Sequence, residues 1–215
     1  MGDAMTDHTH ELVHKGDPGL DRLLFFSDGV FAIAITLLAI ELHVPHGWDG
    51  HAATLFRESW QMLAAFALSF AVVGIFWNAH RRLFLGMQRF TVGVFVLNLI
   101  LLAGIALMPF ASVLLYSPPV TIETFGLYLG LVSAIGLANG LAQGYAYFIA
   151  DVIRPKRSFA LRLAATLMQT FMPAACCGLS LAWFAQAPLW ITGPLALIVA
   201  GLVGFLIWAR RRAAA

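Results

Sequence analysis

The chain alternates long apolar stretches with short segments that carry charge, proline or glycine. Each of six stretches is long enough for one helix to cross the ~30 Å hydrocarbon core of a bilayer, which takes ~20 residues. They cover residues 23–42, 55–79, 90–115, 122–150, 159–185 and 189–208. The fourth and fifth are longer than a straight crossing, so we expect tilt or interfacial turns at their ends. This pattern predicts an all-α membrane protein of six transmembrane helices.

Composition excludes most other classes of protein. Of the 215 residues, 60% are hydrophobic and 11% are charged, whereas soluble domains are about 25% charged. The formal net charge of +2 gives no concentrated basic face for nucleic acid. An intramembrane enzyme would need a paired nucleophile and base or a metal site, which the sequence lacks, so we expect no enzymatic activity and no cofactor. Cys176 and Cys177 are adjacent and cannot form a strain-free disulfide.

The positions of the basic residues predict the orientation, because lysine and arginine near helix ends are retained in the cytoplasm. With six helices, twelve of the thirteen basic residues fall on one side, and Arg57 is the exception. The sequence therefore predicts both termini in the cytoplasm of a multi-pass cell-membrane protein. We divide it into a flexible cytosolic tail at 1–21, a transmembrane domain at 22–212 and a short C-terminal tail at 213–215.

Glycines on the fourth predicted helix recur at four-residue steps, at Gly136, Gly140 and Gly144. Small residues at this spacing let a second helix backbone approach closely. The pattern favours tight packing within the bundle, with a sliding gate as the alternative.

Polar residues inside the apolar stretches are costly and need a structural or functional role. Asp28 is a carboxylate about four residues into the first stretch, so it requires donors from neighbouring helices. The candidate donors at a similar depth are Trp77, Asn78, His80 and Asn98. Two roles stay open for Asp28 and His80, namely a hydrogen-bonded network that orders the bundle and direct handling of protons or ions.

A second feature of the first helix is an apolar stripe with one threonine. At 100° per residue, Ile33, Thr36, Leu37 and Ile40 share a face centred about 130° from Asp28. Such spacing is typical of a packing seam, and a pore-lining surface is the alternative.

The string Arg22-Leu-Leu-Phe-Phe26-Ser27-Asp28 resembles the motif, Arg followed after three residues by Phe-Ser-Asp, that opens the first helix in the transmembrane protein 175 family. Trp77 and His80, at the end of the second helix, are also similar to that family. The resemblance implies a potassium-permeable, leak-type channel with an apolar constriction formed by the first helix, at the positions of Ile33, Thr36, Leu37 and Ile40.

The resemblance further implies a bundle-ordering network made of motif and neighbouring residues. Its members would be Arg22, Phe26, Ser27, Asp28, Trp77, Asn78, His80 and Asn98. Since the chain carries one copy of the motif, the resemblance implies a homotetramer around a central pore. The implied partners are potassium ions, the lipid bilayer and further copies of the chain.

Two further possibilities remain beside the channel. A proton-coupled secondary transporter or a proton-permeable channel could use Asp28 and His80 as a relay, although the sequence shows no inverted repeat. Histidines 8, 10 and 14 in the tail, and 43, 46 and 51 in the first outer loop, are candidates for metal binding or pH sensing. We favour solvated segments as the explanation of both sets and predict no metal site.

Overall fold

The computed structural model describes residues 17–154 and 158–186, and beyond them only scattered positions between 197 and 211. Within the first two ranges the chain forms five α-helices, each long and apolar enough to cross a membrane. They are α1 (Pro18–Ile40), α2 (Ala52–Leu85), α3 (Val92–Val113), α4 (Ile122–Gly144) and α5 (Phe159–Phe184). The predicted sixth helix, 189–208, lies outside these continuously described residues. The chain is therefore an all-helical, multi-pass membrane protein, as the hydrophobic pattern predicts.

α1 begins five residues before the predicted start of its apolar stretch. The side chain of Asp17 accepts a hydrogen bond from the backbone of Gly19 at 2.9 Å, and Pro18 occupies the first helical position. An aspartate cap followed by proline is a strong helix-start signal. Residues 18–21, predicted to belong to the flexible N-terminal tail, are consequently helical.

Three arginines at the ends of the apolar stretches lie within helices. Arg81 and Arg82 belong to α2, which continues to Leu85 because Leu83 and Phe84 are buried against the rest of the bundle. Arg162 belongs to the first turns of α5. The charges thus extend from helix ends at the edge of the apolar region.

The first four helices share one hydrophobic core. Phe31, Ala34 and Leu38 of α1 pack with residues of α2, α3 and α4. A second cluster lies where α1 begins and α2 ends, and it includes Leu20 and Leu23. α1 is therefore anchored to the bundle along its whole length by one of its faces.

α5 packs tightly against the glycine-bearing face of α4. A Cβ atom built on Gly140 would overlap the Thr170 hydroxyl and lie 2.7 Å from the Thr170 Cα, and one on Gly136 would meet the Pro173 ring. Next to this contact, Asn139 donates a hydrogen bond to Gln169. The prediction of tight packing at this stripe is confirmed.

α4 continues directly into one π-helical turn, Tyr145–Ile149, so the long fourth stretch ends in an irregular turn. The segment that follows pairs with the α2–α3 loop. Gln88 donates its backbone N–H to Val152 at 2.9 Å, and Arg154 donates to Gly86 at 2.8 Å. The two loops at this end of the bundle are thus joined by backbone hydrogen bonds.

Candidate functional site

One face of α1 is locked into the bundle. Ser27, Phe31, Ala34 and Leu38 are 0–2% exposed and recur at the spacing of one helix face. Residues of this face contact α2 and α3 through the shared core. The direction in which every other α1 side chain points is fixed by this packing.

The opposite face of α1 carries the apolar stripe. Ile33, Leu37 and Ile40 are 60%, 39% and 72% exposed, respectively, and Thr36 is exposed beside them. The Thr36 hydroxyl donates to the carbonyl of Ile33 at 2.8 Å, so its oxygen can still accept a hydrogen bond. All four side chains face away from the chain's own bundle.

Asp28 lies between these two faces and is partly buried. Of its four candidate partners, Trp77 is the one that bonds it, since the indole Nε1 donates to Asp28 Oδ1 at 2.8 Å. The Arg81 guanidinium lies 5.8 Å from the centre of the same indole ring, a distance at which a cation is attracted to the ring face. The carboxylate therefore receives a donor from α2.

Ser27, Asn98 and His80 form a separate, buried chain of hydrogen bonds. Ser27 donates to the carbonyl of Leu23 at 2.7 Å, and Asn98 Nδ2 donates to Ser27 Oγ at 3.0 Å. The amide oxygen of Asn98 then faces His80 Nε2 at 2.7 Å and can only accept. This assigns the proton to Nε2 of a neutral His80.

The other ring nitrogen of His80, Nδ1, is buried and has no hydrogen-bond partner among the described residues. The imidazole is held between aromatic rings, with Phe84 stacked at 4.2 Å and Phe31 tilted at 5.4 Å between ring centres. The chain of hydrogen bonds formed by Ser27, Asn98 and His80 links α1, α2 and α3 at one depth. It is arranged to order the bundle, with one unused acceptor atom.

Three of the predicted network residues lie elsewhere. Arg22 and Phe26 are exposed and border a shallow groove along the outer face of α1, together with Gly29 and Ile33. Asn78 is exposed and accepts a hydrogen bond from Arg82 at 3.3 Å. Within one copy of the chain, the structure does not bring these three side chains to Asp28 or His80.

A second buried polar cluster, which the sequence did not predict, lies between α2, α3 and α4. Ser112 donates to the carbonyl of Ala65 at 3.5 Å, Ser69 donates to Ser112 at 3.1 Å, and the Tyr128 hydroxyl lies 3.2 Å from Ser69 Oγ. With the Ser69 proton committed to Ser112, the tyrosine is the donor. The cluster joins α2, α3 and α4, and its only sequence signal is a serine or tyrosine within an apolar stretch.

In the loop between α1 and α2, one histidine contributes its ring and another its backbone to local hydrogen bonds. The His43 ring nitrogen lies 3.0 Å from the carbonyl of Glu41, and Trp48 Nε1 donates to the carbonyl of His51 at 2.9 Å. In the part of the chain that the structure describes, no three His, Cys, Asp or Glu side chains come together as metal ligands. The tail histidines lie outside the described residues.

Residues 22–109 match the family model of the endosomal/lysosomal potassium channel TMEM175. A potassium channel of Streptomyces collinus is 38% identical over 96 residues, which are 44% of this chain and 46% of that protein. The endosomal/lysosomal proton channel TMEM175 of Bos taurus is 35% identical over 118 residues, 51% of this chain and 24% of the bovine protein. The matched region thus spans about half the length of the bacterial relative and about a quarter of the bovine one.

The fold is similar to the crystal structure of a lysosomal potassium-selective channel TMEM175 homolog from Chamaesiphon minutus. The two superpose with a TM-score of 0.60 at 26% sequence identity, over 89% of this chain and 98% of the other. The likeness thus extends beyond residues 22–109, into the part of the chain that contains α4 and α5.

Proposed function

We propose that the chain, whose residues 22–109 match the TMEM175 family model, is a member of that family and a potassium-permeable, leak-type cation channel. The proposed ion pathway is lined by α1, with a constriction at Ile33, Thr36, Leu37 and Ile40. Bacterial relatives that are named potassium channels, including the one from Streptomyces collinus, support this assignment.

The observation that carries the proposal is the division of α1 into two faces. One face is buried in the bundle, whereas the stripe faces outward with Ile33 60% and Ile40 72% exposed. The stripe therefore contributes little to the chain's own core and is available to face further copies of the chain. Several copies arranged around an axis would turn this outer face into a ring.

We propose that the ring is completed by a homotetramer of six-helix subunits in the cell membrane, with both termini in the cytoplasm. A single Arg22-to-Asp28 motif per chain and the one-sided distribution of basic residues support this arrangement. The partners are then potassium ions, lipid and three further copies of the chain.

The proposed constriction controls ions through hydration. An apolar ring admits a water column only above a threshold radius, so small displacements of α1 switch conductance. Isoleucine offers no ligand to an ion that sheds water. A ring that strips part of the hydration shell would favour potassium over the more tightly hydrated sodium, and the free acceptor capacity of the Thr36 hydroxyl would offset part of the cost.

The decisive experiment is ion flux from purified protein in liposomes. Potassium movement down its own gradient, without proton counter-movement, supports the channel. Strict coupling of potassium to protons would replace it with the secondary transporter, and the absence of potassium flux in vesicles that contain folded protein would refute both.

The residue assignment has its own test. Ile33→Asn introduces an amide into the constriction, which should favour wetting and raise sodium permeation relative to potassium by several-fold. Ile100→Asn on α3 is the matched control, because Ile100 is similarly exposed, at 56%, and lies off the proposed pathway. Unchanged permeability ratios in Ile33→Asn, or equal changes in both variants, would remove Ile33 from the pathway.

Proton permeation through the same protein is the second candidate function. The bovine relative is named a proton channel, and His80 Nδ1 is a buried acceptor without a partner among the described residues. An acid-driven pH change inside the vesicles, reduced in Asp28→Asn and in His80→Gln, would support it. A pH change that persists undiminished in both variants would exclude these residues as the relay.

A further inference from the structure

Asp17 makes two hydrogen bonds that point in different directions. Its Oδ1 accepts from the backbone N–H of Gly19 at 2.9 Å and so caps α1. Its Oδ2 accepts from the backbone N–H of Phe90, in the α2–α3 loop, at 2.7 Å. The bond from Phe90, followed by that from Gly19, lowers the pKa of this carboxyl below its usual value of 3.8. The carboxylate therefore connects the start of α1 to a loop 73 residues away in the chain.

The loop that Asp17 holds is itself fixed to the next one. Gly86 and Gln88, just before Phe90, exchange backbone hydrogen bonds with Arg154 and Val152 of the α4–α5 connection. A continuous path of short hydrogen bonds thus runs from α1 through the α2–α3 loop to the segment between α4 and α5. The three segments are thus connected at this end of the bundle.

The remaining contacts at the start of α1 are apolar. Leu20 and Leu23 are buried in the second hydrophobic cluster, and apolar contacts of this kind are non-directional. The carboxylate bonds are directional and short, so they add a directional restraint on the height and rotation of the first turn. The stripe begins at Ile33, about three turns further along the same rigid helix.

We propose that Asp17 is a positioning residue for the ion pathway, which fixes the entry of α1 through its bond to the Phe90 N–H and thereby sets the geometry of the constriction. This inference rests on the proposed function. It also distinguishes the two oxygens of one side chain, since Oδ1 serves helix capping and Oδ2 serves placement of α1 against the adjoining loops.

Two substitutions break the second bond by independent means. Asp17→Asn keeps an oxygen that can cap α1 through Gly19, but its amide nitrogen cannot accept from Phe90. Phe90→Pro removes the N–H donor, and Phe90→Ala is its matched control, because it loses the same ring and keeps the donor. Asp21→Asn is the matched control for charge, since Asp21 is an exposed carboxylate in the first turn of the same helix.

The measurement is the potassium-to-sodium permeability ratio of the full-length protein in liposomes, with the apparent unfolding temperature recorded for each variant. Asp17→Asn and Phe90→Pro should each lower the ratio at least twofold, and the double variant should be no worse than either single one. Phe90→Ala and Asp21→Asn should retain the wild-type ratio. A capping role alone would lower the unfolding temperature of Asp17→Asn without this coupling to Phe90→Pro.

Three outcomes are distinguishable. If the wild type passes no potassium, the proposed function fails. If the wild type conducts and both substitutions leave the ratio unchanged, or if their effects simply add, the positioning role of Asp17 is wrong while the channel stands. Should Phe90→Pro fail to fold, the comparison of Asp17→Asn with Asp21→Asn at matched unfolding temperature decides between the same two conclusions.

Discussion

Replacement of Gly140 by alanine tests the close approach of α4 and α5. The added Cβ would overlap the Thr170 side chain and lie 2.7 Å from the Thr170 Cα, whereas ordinary carbon contacts fall at 3.5–4.0 Å. A rotamer change of Thr170 relieves the first contact but not the second, because the Cα belongs to the backbone. The two helices must therefore move apart by about 1 Å.

The expected magnitude follows from two opposing effects. An overpacked contact of this kind costs about 1–3 kcal/mol, whereas alanine in place of glycine inside a helix contributes about 1 kcal/mol of stability. Gly130→Ala isolates the second effect, since a Cβ at Gly130 would have no atom of the described residues within 4 Å. The difference in stability between the two variants is then the packing cost alone, about 1–3 kcal/mol.

The assay is the apparent unfolding temperature of the purified protein in detergent. For a chain of this length, 1 kcal/mol corresponds to about 2–4 °C, so Gly140→Ala should unfold about 2–12 °C below Gly130→Ala. Thr170→Ala in the same chain should restore only part of this loss. Equal unfolding temperatures for the two glycine variants, or full rescue by Thr170→Ala, would refute the argument that backbone approach limits this contact.

Four other substitutions have defined outcomes. Asp28→Ala deprives the Trp77 indole of its acceptor, so the free energy of unfolding should fall by about 1–2 kcal/mol and the yield should fall with it, while the potassium-to-sodium ratio is retained. Trp77→Phe should lose a similar amount of unfolding free energy. A stable protein with altered selectivity would contradict this. Tyr128→Phe removes the hydroxyl that donates to Ser69 and should cost about 0.5–1.5 kcal/mol of unfolding free energy, as measured by thermal or denaturant unfolding. Because the pKa of Asp17 in the folded protein lies below 3.8, the contribution of this carboxylate to stability is present above that pH and is lost as the pH falls further. Asp17→Asn should flatten this acid-dependent loss in the pH profile of unfolding. An unchanged profile would show that the Asp17 bonds do not persist in solution.

The hydrophobic pattern was sufficient to predict the helices because the bilayer sets their length and apolarity directly. The five predicted stretches that fall in the described part of the chain each correspond to one helix, and the similarity to the Chamaesiphon minutus channel homolog extends over 89% of the chain. Helix ends were predicted less well. α1 starts at Pro18 and α2 continues to Leu85, since capping and burial at the edge of the membrane extend helices beyond their apolar stretches.

The candidate site was predictable where helix periodicity alone determines placement. Spacing grouped Ile33, Thr36, Leu37 and Ile40 on one face, and that face is exposed. Which side chains bond each other was not predictable, since Trp77 and His80 are three residues apart on α2 and still reach different partners. The rotation and depth of each helix decide such pairs, and these depend on the packing of the whole bundle.

The sequence indicates one of the two side-chain hydrogen bonds of Asp17 and not the other. Asp17 before Pro18 marks a helix start, which accounts for the bond to Gly19. The bond to Phe90 joins residues 73 positions apart and has no local pattern. Long-range polar contacts of this kind are visible only once the loops have been placed.

The two faces of α1 separate the requirements of folding from those of the proposed ion pathway. Substitutions on the face of Ser27 and Phe31 disturb the packing of the subunit's own core, so selection for stability restricts them. Substitutions at Ile33 or Ile40, which are 60% and 72% exposed, remove fewer contacts within the subunit, so its stability restricts them less. A single helix can therefore keep its packing face constant while the chemistry of its outer stripe, and with it the proposed constriction, diversifies.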